Sequence, residues 1–251
     1  MSGHSRWKTI KRKKGAADAK KGASFTKVIK EIIVAAKSGG DPDLNARLRA
    51  VIEKAREVNM PFDNIKKAIM KGTGELPGVV YEEIVYEGYG PAGVALLIAV
   101  TTDNKNRSAG NLRTALSNHG GSMAGQGAVS WQFEQKGYIA VPKEAINEDA
   151  LMEIALDAGA QDITSEDEVY DVITEPAAFE AVKKVLDDKK VGYTTAEVTM
   201  VPKNYVKLDG KQAESMLKLM QELDDDEDVS NVYANFDISQ EVMDKISEGQ
   251  D

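Results

Sequence analysis

The chain contains no cysteine. That excludes a disulfide scaffold, thiolate zinc ligation, an iron–sulfur cluster and a cysteine nucleophile. Histidine is almost as scarce. His4 and His119 are the only two, too few for a histidine-rich metal site. Long apolar runs are also missing: the longest, Val94–Val100, spans seven residues, against the ~20 that cross a bilayer as a helix. No apolar stretch follows the charged N-terminus, so a secretory signal is not expected. What remains is a chain of 251 residues, 42% hydrophobic and 29% charged. It has enough apolar side chain to bury a core, spread over one to three domains.

Acidic residues dominate on average, with a formal net charge of −9. The distribution reverses that reading locally. Residues 1–75 hold 18 Lys+Arg and 8 Asp+Glu, whereas residues 76–251 hold 14 and 33. The first 30 residues carry ten basic side chains and one acid, Asp18. Exposed charges more than about 8 Å apart are largely screened in physiological salt, so the local excess governs. It points to a polyanionic partner. Arg6, Lys8, Lys11, Arg12, Lys13 and Lys14 repel one another and predict a mobile basic arm. Trp7, set among these charges, is suited to stacking on an exposed base. Lys20, Lys21 and Lys27 extend the candidate contact set. The bland alternative is a solvated tail whose tryptophan folds back onto its own domain.

Helical periodicity begins next. Phe25, Val28, Ile29, Ile32, Ile33 and Ala36 share one helix face. Ser24 is a candidate cap, and Ser38-Gly39-Gly40 a stop. Asp41-Pro42 reads as the start of a second helix with Leu44, Leu48, Val51, Ile52 and Ala55 inward. Pro61 opens a third, with Phe62, Ile65 and Ile69 inward. Lys27, Lys30, Arg49, Lys66 and Lys67 fall on polar positions. Few side chains of the second helix suit a DNA groove, so backbone or shape recognition is favoured over a base-reading helix.

After residue 78 the pattern turns β-like. Val79–Glu87 and Val94–Thr101 read as strands joined at Gly88-x-Gly90-x-x-Gly93. That spacing matches a dinucleotide fingerprint, but a strand follows where a helix is required, so a hairpin turn is expected. A helix is predicted over 104–118, then a glycine loop at 120–127 and a strand at 128–133. Residues 138–200 follow the order β-α-β-β-α-β, the ferredoxin-like arrangement. A helix at 211–223 and a strand at 229–236 close the chain, and the simplest partner for them is the 79–133 unit.

Other motifs carry a plain structural reading beside a functional one. In Thr102-Asp103-Asn104-Lys105-Asn106-Arg107, three residues can cap a helix. Lys105 and Arg107 oppose the helix dipole there, which suggests a phosphate or acidic partner. Asp224-Asp225-Asp226-Glu227-Asp228 lacks the spacing of an EF-hand and reads as a solvated acidic loop. His119 reads as a helix C-terminal residue, and Met216 and Met220 as core.

These residues carry a resemblance. Gly3-His4-Ser5-Arg6-Trp7-Lys8 with Ile10-Lys11, Phe25-Thr26-Lys27 and Asn59-Met60-Pro61 resemble the N-terminal part of the YebC/PmpR family. Tyr86-Glu87-Gly88-Tyr89-Gly90-Pro91, the 102–107 motif and Asn231-Val232-Tyr233-Ala234-Asn235-Phe236 resemble its later signatures. Ala92, Ala124 and Ala128 depart from the glycine or serine of that pattern. The resemblance implies an α+β protein: an N-terminal helical bundle followed by two α/β domains, one ferredoxin-like. The expected divisions are 1–75, 79–134 with 204–238, and an inserted 137–201. It implies a cytoplasmic, non-enzymatic, nucleic-acid-binding regulator of gene expression, with no cofactor and no catalytic residue. DNA-binding transcriptional regulation comes first. Ribosome-associated, ribosomal-RNA-binding translation control, as in mitochondrial translational activators, is the alternative. The family opening at residue 2 is read as leaving no transit peptide. A protein partner on the acidic domains is a further expectation, and a membrane is not.

Overall fold

The computed structural model describes residues 18–165, 168–239 and 241–242. They form two compact units. One comprises residues 131–207 with 235–237, and the other residues 18–130 with 208–234.

The larger unit begins with three helices, α1 (Asp18–Ala36), α2 (Ala46–Glu57) and α3 (Phe62–Gly72). Their apolar stripes meet in a core of Val28, Ile32, Ile33, Leu48, Ile52, Ala55, Met60, Ile65 and Ala68. Burying each large aliphatic side chain contributes about 1.5–3 kcal/mol. At Gly72 a Cβ would collide with the Ile33 carbonyl, so α3 approaches α1 only with glycine there.

Four local expectations are corrected. Ser24 lies inside α1 rather than at its start, because Asp18-Ala19-Lys20-Lys21 is already helical. Asn45, not Asp41, caps α2. Its Oδ1 accepts from Leu48 N at 3.0 Å while its Nδ2 donates to Ala35 O and Gly39 O at 2.9 and 2.8 Å. Only an amide can both accept and donate in this way, and it stitches α2 to the end of α1. Leu44 then falls in the turn and is 87% exposed. Phe62, at the first position of α3, is 73% exposed rather than inward.

The same unit continues with β1 (Glu82–Tyr89), β2 (Ala95–Thr102), α4 (Lys105–Asn118) and β3 (Ser122–Ala124), and ends with α7 (Gly210–Asp225) and β9 (Val229–Ala234). The sheet order is β3-β1-β2-β9, antiparallel throughout. Leu96, Ile98 and Val232 point to one face, and α4 and α7 contribute Leu112, Leu116, Met216 and Leu219 to this unit's core. The Gly88–Gly93 segment is a hairpin turn, with Ala92 held at φ 57° and Gly93 at φ 76°. Gly121 passes so close to the Tyr89 carbonyl that a side chain could not fit. The strand expected at 128–133 is replaced. Ser122–Ala124 supplies the third strand, residues 130–132 form a single 3-10 turn, and Phe133 opens the next sheet.

The smaller unit holds β4 (Phe133–Pro142), α5 (Glu148–Asp157), β5 (Ala160–Ser165), β6 (Val169–Thr174), α6 (Phe179–Asp188) and β7 (Thr195–Pro202). Its order β5-β6-β4-β7, all antiparallel, is ferredoxin-like. Ile139, Val141 and Val172 pack against Leu151, Ala155, Phe179, Val182 and Leu186 from the two helices. Two short strands, β8 (Val206–Lys207) and β10 (Phe236–Asp237), pair in parallel.

Candidate nucleic-acid interface

Arg6, Trp7, Lys8, Lys11, Arg12, Lys13 and Lys14 lie outside the described residues. Lys20 and Lys21 lie on α1. Lys27, Lys30, Lys105 and Arg107 are engaged by the chain itself, Lys27 by a backbone carbonyl and the other three by carboxylates. Lys27 Nζ donates to the Asp224 carbonyl at 2.6 Å. One turn on, Lys30 donates to the Glu227 carbonyl at 2.9 Å and to Asp228 Oδ1 at 2.7 Å. Lys30 is therefore buried, not on a polar face, and Tyr81 lies 5.7 Å beneath its ammonium.

Asp228 is the hub of this cluster, which corrects its reading as part of a solvated loop. Beyond Lys30, its Oδ2 accepts from Arg107 Nη2 and Ser108 Oγ, each at 2.8 Å, and from Thr102 Oγ1 at 3.1 Å. Burial pushes this carboxyl up, but hydrogen bonds from Lys30, Arg107 and Ser108 outweigh it and hold the group down at about 2. Asn104 caps α4 by accepting from Arg107 N at 3.1 Å. The unfavourable placement of Arg107 near the α4 N-terminus is answered by Asp228 and by Asp103, 2.7 Å away. These hydrogen bonds raise the pKa of the guanidinium above its ordinary value. Lys105 pairs with Glu82 at 2.6 Å on the surface, and this hydrogen bond raises the pKa of its ammonium. The acidic partner implied by Lys105 and Arg107 is thus present within the chain.

Sequence reasoning missed Glu87. Its buried carboxylate accepts three backbone N–H groups: Gly127 and Val129 at 2.7 Å and Ser130 at 3.0 Å. Burial pushes this carboxyl up, but the three amides more than compensate and leave it below the usual carboxylate range. Three convergent amides on one anion make a nest. The nest fixes the end of the glycine loop and keeps residues 127–130 out of a strand. The clue in the sequence is an acid set between Tyr86 and Gly88 near the end of β1, beyond the exposed Glu82-Glu83 pair at its start.

Residues 5–75 match the TACO1/YebC protein N-terminal domain, and residues 81–236 match the TACO1/YebC second and third domain. The chain belongs to the TACO1/YebC family. A probable transcriptional regulatory protein of Geobacter sulfurreducens is 56% identical over 247 residues, covering 98% of this chain and 100% of that one. One from Dictyoglomus turgidum is 55% identical over 249 residues, with the same coverage. A solved structure, a conserved hypothetical protein from Aquifex aeolicus, is 42% identical with a TM-score of 0.78, covering 90% of this chain and 94% of that one.

In this TACO1/YebC chain the 86–91 and 102–107 signatures therefore have structural work to do. The first supplies the Glu87 nest. The second supplies the α4 cap and two hydrogen-bond donors to Asp228. Among the described residues, no group of three or more His, Asp or Glu is placed to hold a metal ion. Among the same residues, no helix is long and apolar enough to cross a membrane.

Proposed function

We propose that this TACO1/YebC chain is a cytoplasmic, non-enzymatic regulator of gene expression that grips nucleic acid through its basic N-terminal arm and acts on transcription through DNA. The observation that carries the reading is a division of labour among cations. Ten basic residues against one acid crowd the first 30 positions. In the body, Lys30, Lys105 and Arg107 are matched by Asp228, Glu82 and Asp103. On this reading the arm's contacts to the polyphosphate are Arg6, Lys8, Lys11, Arg12, Lys13, Lys14, Lys20 and Lys21, with Trp7 stacking. The names of the relatives in Geobacter and Dictyoglomus support a role in transcription.

A second reading, translation control on structured RNA at the ribosome, draws on α2. The basic residues nearest its N-terminus are occupied. Arg47 pairs with Glu83, and Arg49 donates to the Pro42 and Asp43 carbonyls. A helix so engaged has little left to read a DNA major groove. Crosslinking in cells, with bound DNA and RNA both sequenced, tests the two. Clustered sites upstream of genes support the first reading. Enrichment on ribosomal RNA supports the second, and recovery of neither polymer overturns both.

A further inference from the structure

The outer face of α3 carries side chains that the fold does not use. Met60 is buried and anchors the turn, and Pro61 leads directly into the helix. Phe62 then stands in water, while Ile65 and Ala68, with Ile69 beside them, make the inward row. Lys66 lies one turn after Phe62 on the same side of the helix, and Lys67 and Lys71 follow Asp63 in the next row. All three lysines are exposed, and none has an acidic partner among the described residues. Asp63 is the single acid on the helix against these three cations. A first helical turn ordinarily favours acids, and phenylalanine there gains nothing from the dipole. Pro61 also offers no side-chain acceptor, so no side chain caps the N–H groups of that turn.

An exposed aromatic face beside unpaired cations is the arrangement that receives a nucleic-acid strand, with a base on the ring and phosphates on the ammonium groups. We infer that the Phe62–Lys66–Lys67 face of α3 binds a nucleic-acid strand through an unpaired base stacked on Phe62 and phosphates held by Lys66 and Lys67. This rests on the proposed function and narrows it, because a base inside a duplex presents no free face to the ring. The strand is single-stranded or looped. Charge complementarity selects it over an apolar protein surface, since lysine is depleted from protein–protein interfaces. The same chemistry is offered by single-stranded DNA and by RNA, and the test separates them.

The full-length chain is titrated with single-stranded DNA and RNA of one sequence, each carrying 2-aminopurine, and with the corresponding DNA duplex. Phe62→Ala is expected to weaken single-strand binding by about fivefold to a hundredfold and to remove the fluorescence change of the stacked base. Duplex binding stays as in the parent chain. Phe62→Trp restores both single-strand readouts. Replacing Lys66 and Lys67 with Gln lowers the single-strand salt slope by about 0.7 for each phosphate no longer neutralised. The stronger of the two single-strand responses identifies the polymer. A Phe62→Ala chain with unchanged single-strand affinity and fluorescence overturns the inference, as does one weakened equally on single strands and duplex. A parent chain that binds none of the three polymers overturns the proposed function itself, which keeps the two failures distinct.

Discussion

Lys30 Nζ and Asp228 Oδ1, 198 positions apart in the chain, meet at 2.7 Å with side chains only 9% and 5% exposed. The pair ties α1, the helix that follows the basic arm, to the segment between α7 and β9. Removing one member leaves a buried charge without its counterion, a change that costs about 3–5 kcal/mol in comparable sites. Asp228→Asn should therefore lower the free energy of unfolding by that order, read from urea or guanidinium titration. Replacing Lys30 by Met in the Asp228→Asn chain should recover the part of the loss that comes from the stranded ammonium, because no buried charge then lacks its counterion. Thr102, Ser108 and Arg107 keep an amide oxygen to donate to. A single substitution costing no more than a surface ion pair would show that Asp228 does not anchor α1.

Stability should fall steeply in acid, and the sign follows from the direction of the shifts. Asp228 has its folded pKa lowered from 3.8 to about 2, and Glu87 is lowered from 4.5. A carboxylate depressed in the folded state contributes fully above its unfolded value. That contribution is lost as pH falls toward the folded value. Between pH 5 and pH 2 (roughly the window set by these shifts) the denaturation midpoint of the parent chain should drop. Asp228→Asn should flatten that dependence. Equal slopes in the two proteins would remove Asp228 as its source.

The parts of this fold legible in the sequence are those whose signal is local. The α1 stripe of Val28, Ile32 and Ala36 repeats with the helix, and the β-α-β-β-α-β order follows from alternating short runs. Other features are set by residues far away in the chain. Ala128–Phe133 has the composition of a strand, yet Glu87, some 40 positions earlier, takes the amides of Gly127, Val129 and Ser130. Leu44 and Phe62 extend apolar stripes by spacing alone. Both are placed in solvent once Asn45 and Pro61 set where their helices begin. Asp228 is one acid among five in a row, and its burial is decided by Lys30 and Arg107, which no local pattern connects to it.

Glu87 gives a prediction of its own. Glu87→Gln keeps the shape of the side chain but turns one acceptor into a donor that faces backbone N–H groups. An unsatisfied buried amide costs about 1–3 kcal/mol. Hydrogen exchange at Gly127, Val129 and Ser130 should accelerate, while amides in the ferredoxin-like core, such as Val141 and Val172, stay protected. Exchange that rises uniformly through the chain would mean that Glu87 supports the whole fold rather than this loop.

The arm is separated from the body by the salt dependence of binding. Alanine at Lys11, Arg12, Lys13 and Lys14 should weaken binding to nucleic acids of unrelated sequence. The slope of log affinity against log salt should fall by up to ~0.9 for each duplex phosphate that the arm no longer neutralises. Arg107→Gln provides the contrast. Its guanidinium is held by Asp228 and Asp103, so the substitution should lower stability while the salt slope stays at the parent value. If the arm variant keeps the parent slope and Arg107→Gln reduces it, the binding surface lies on α4 and not on the N-terminal arm. A slope reduced in both would mean that the arm and the start of α4 meet the same polyanion. In that case the Asp228 cluster orients a composite binding surface rather than serving only to join α1 to the sheet.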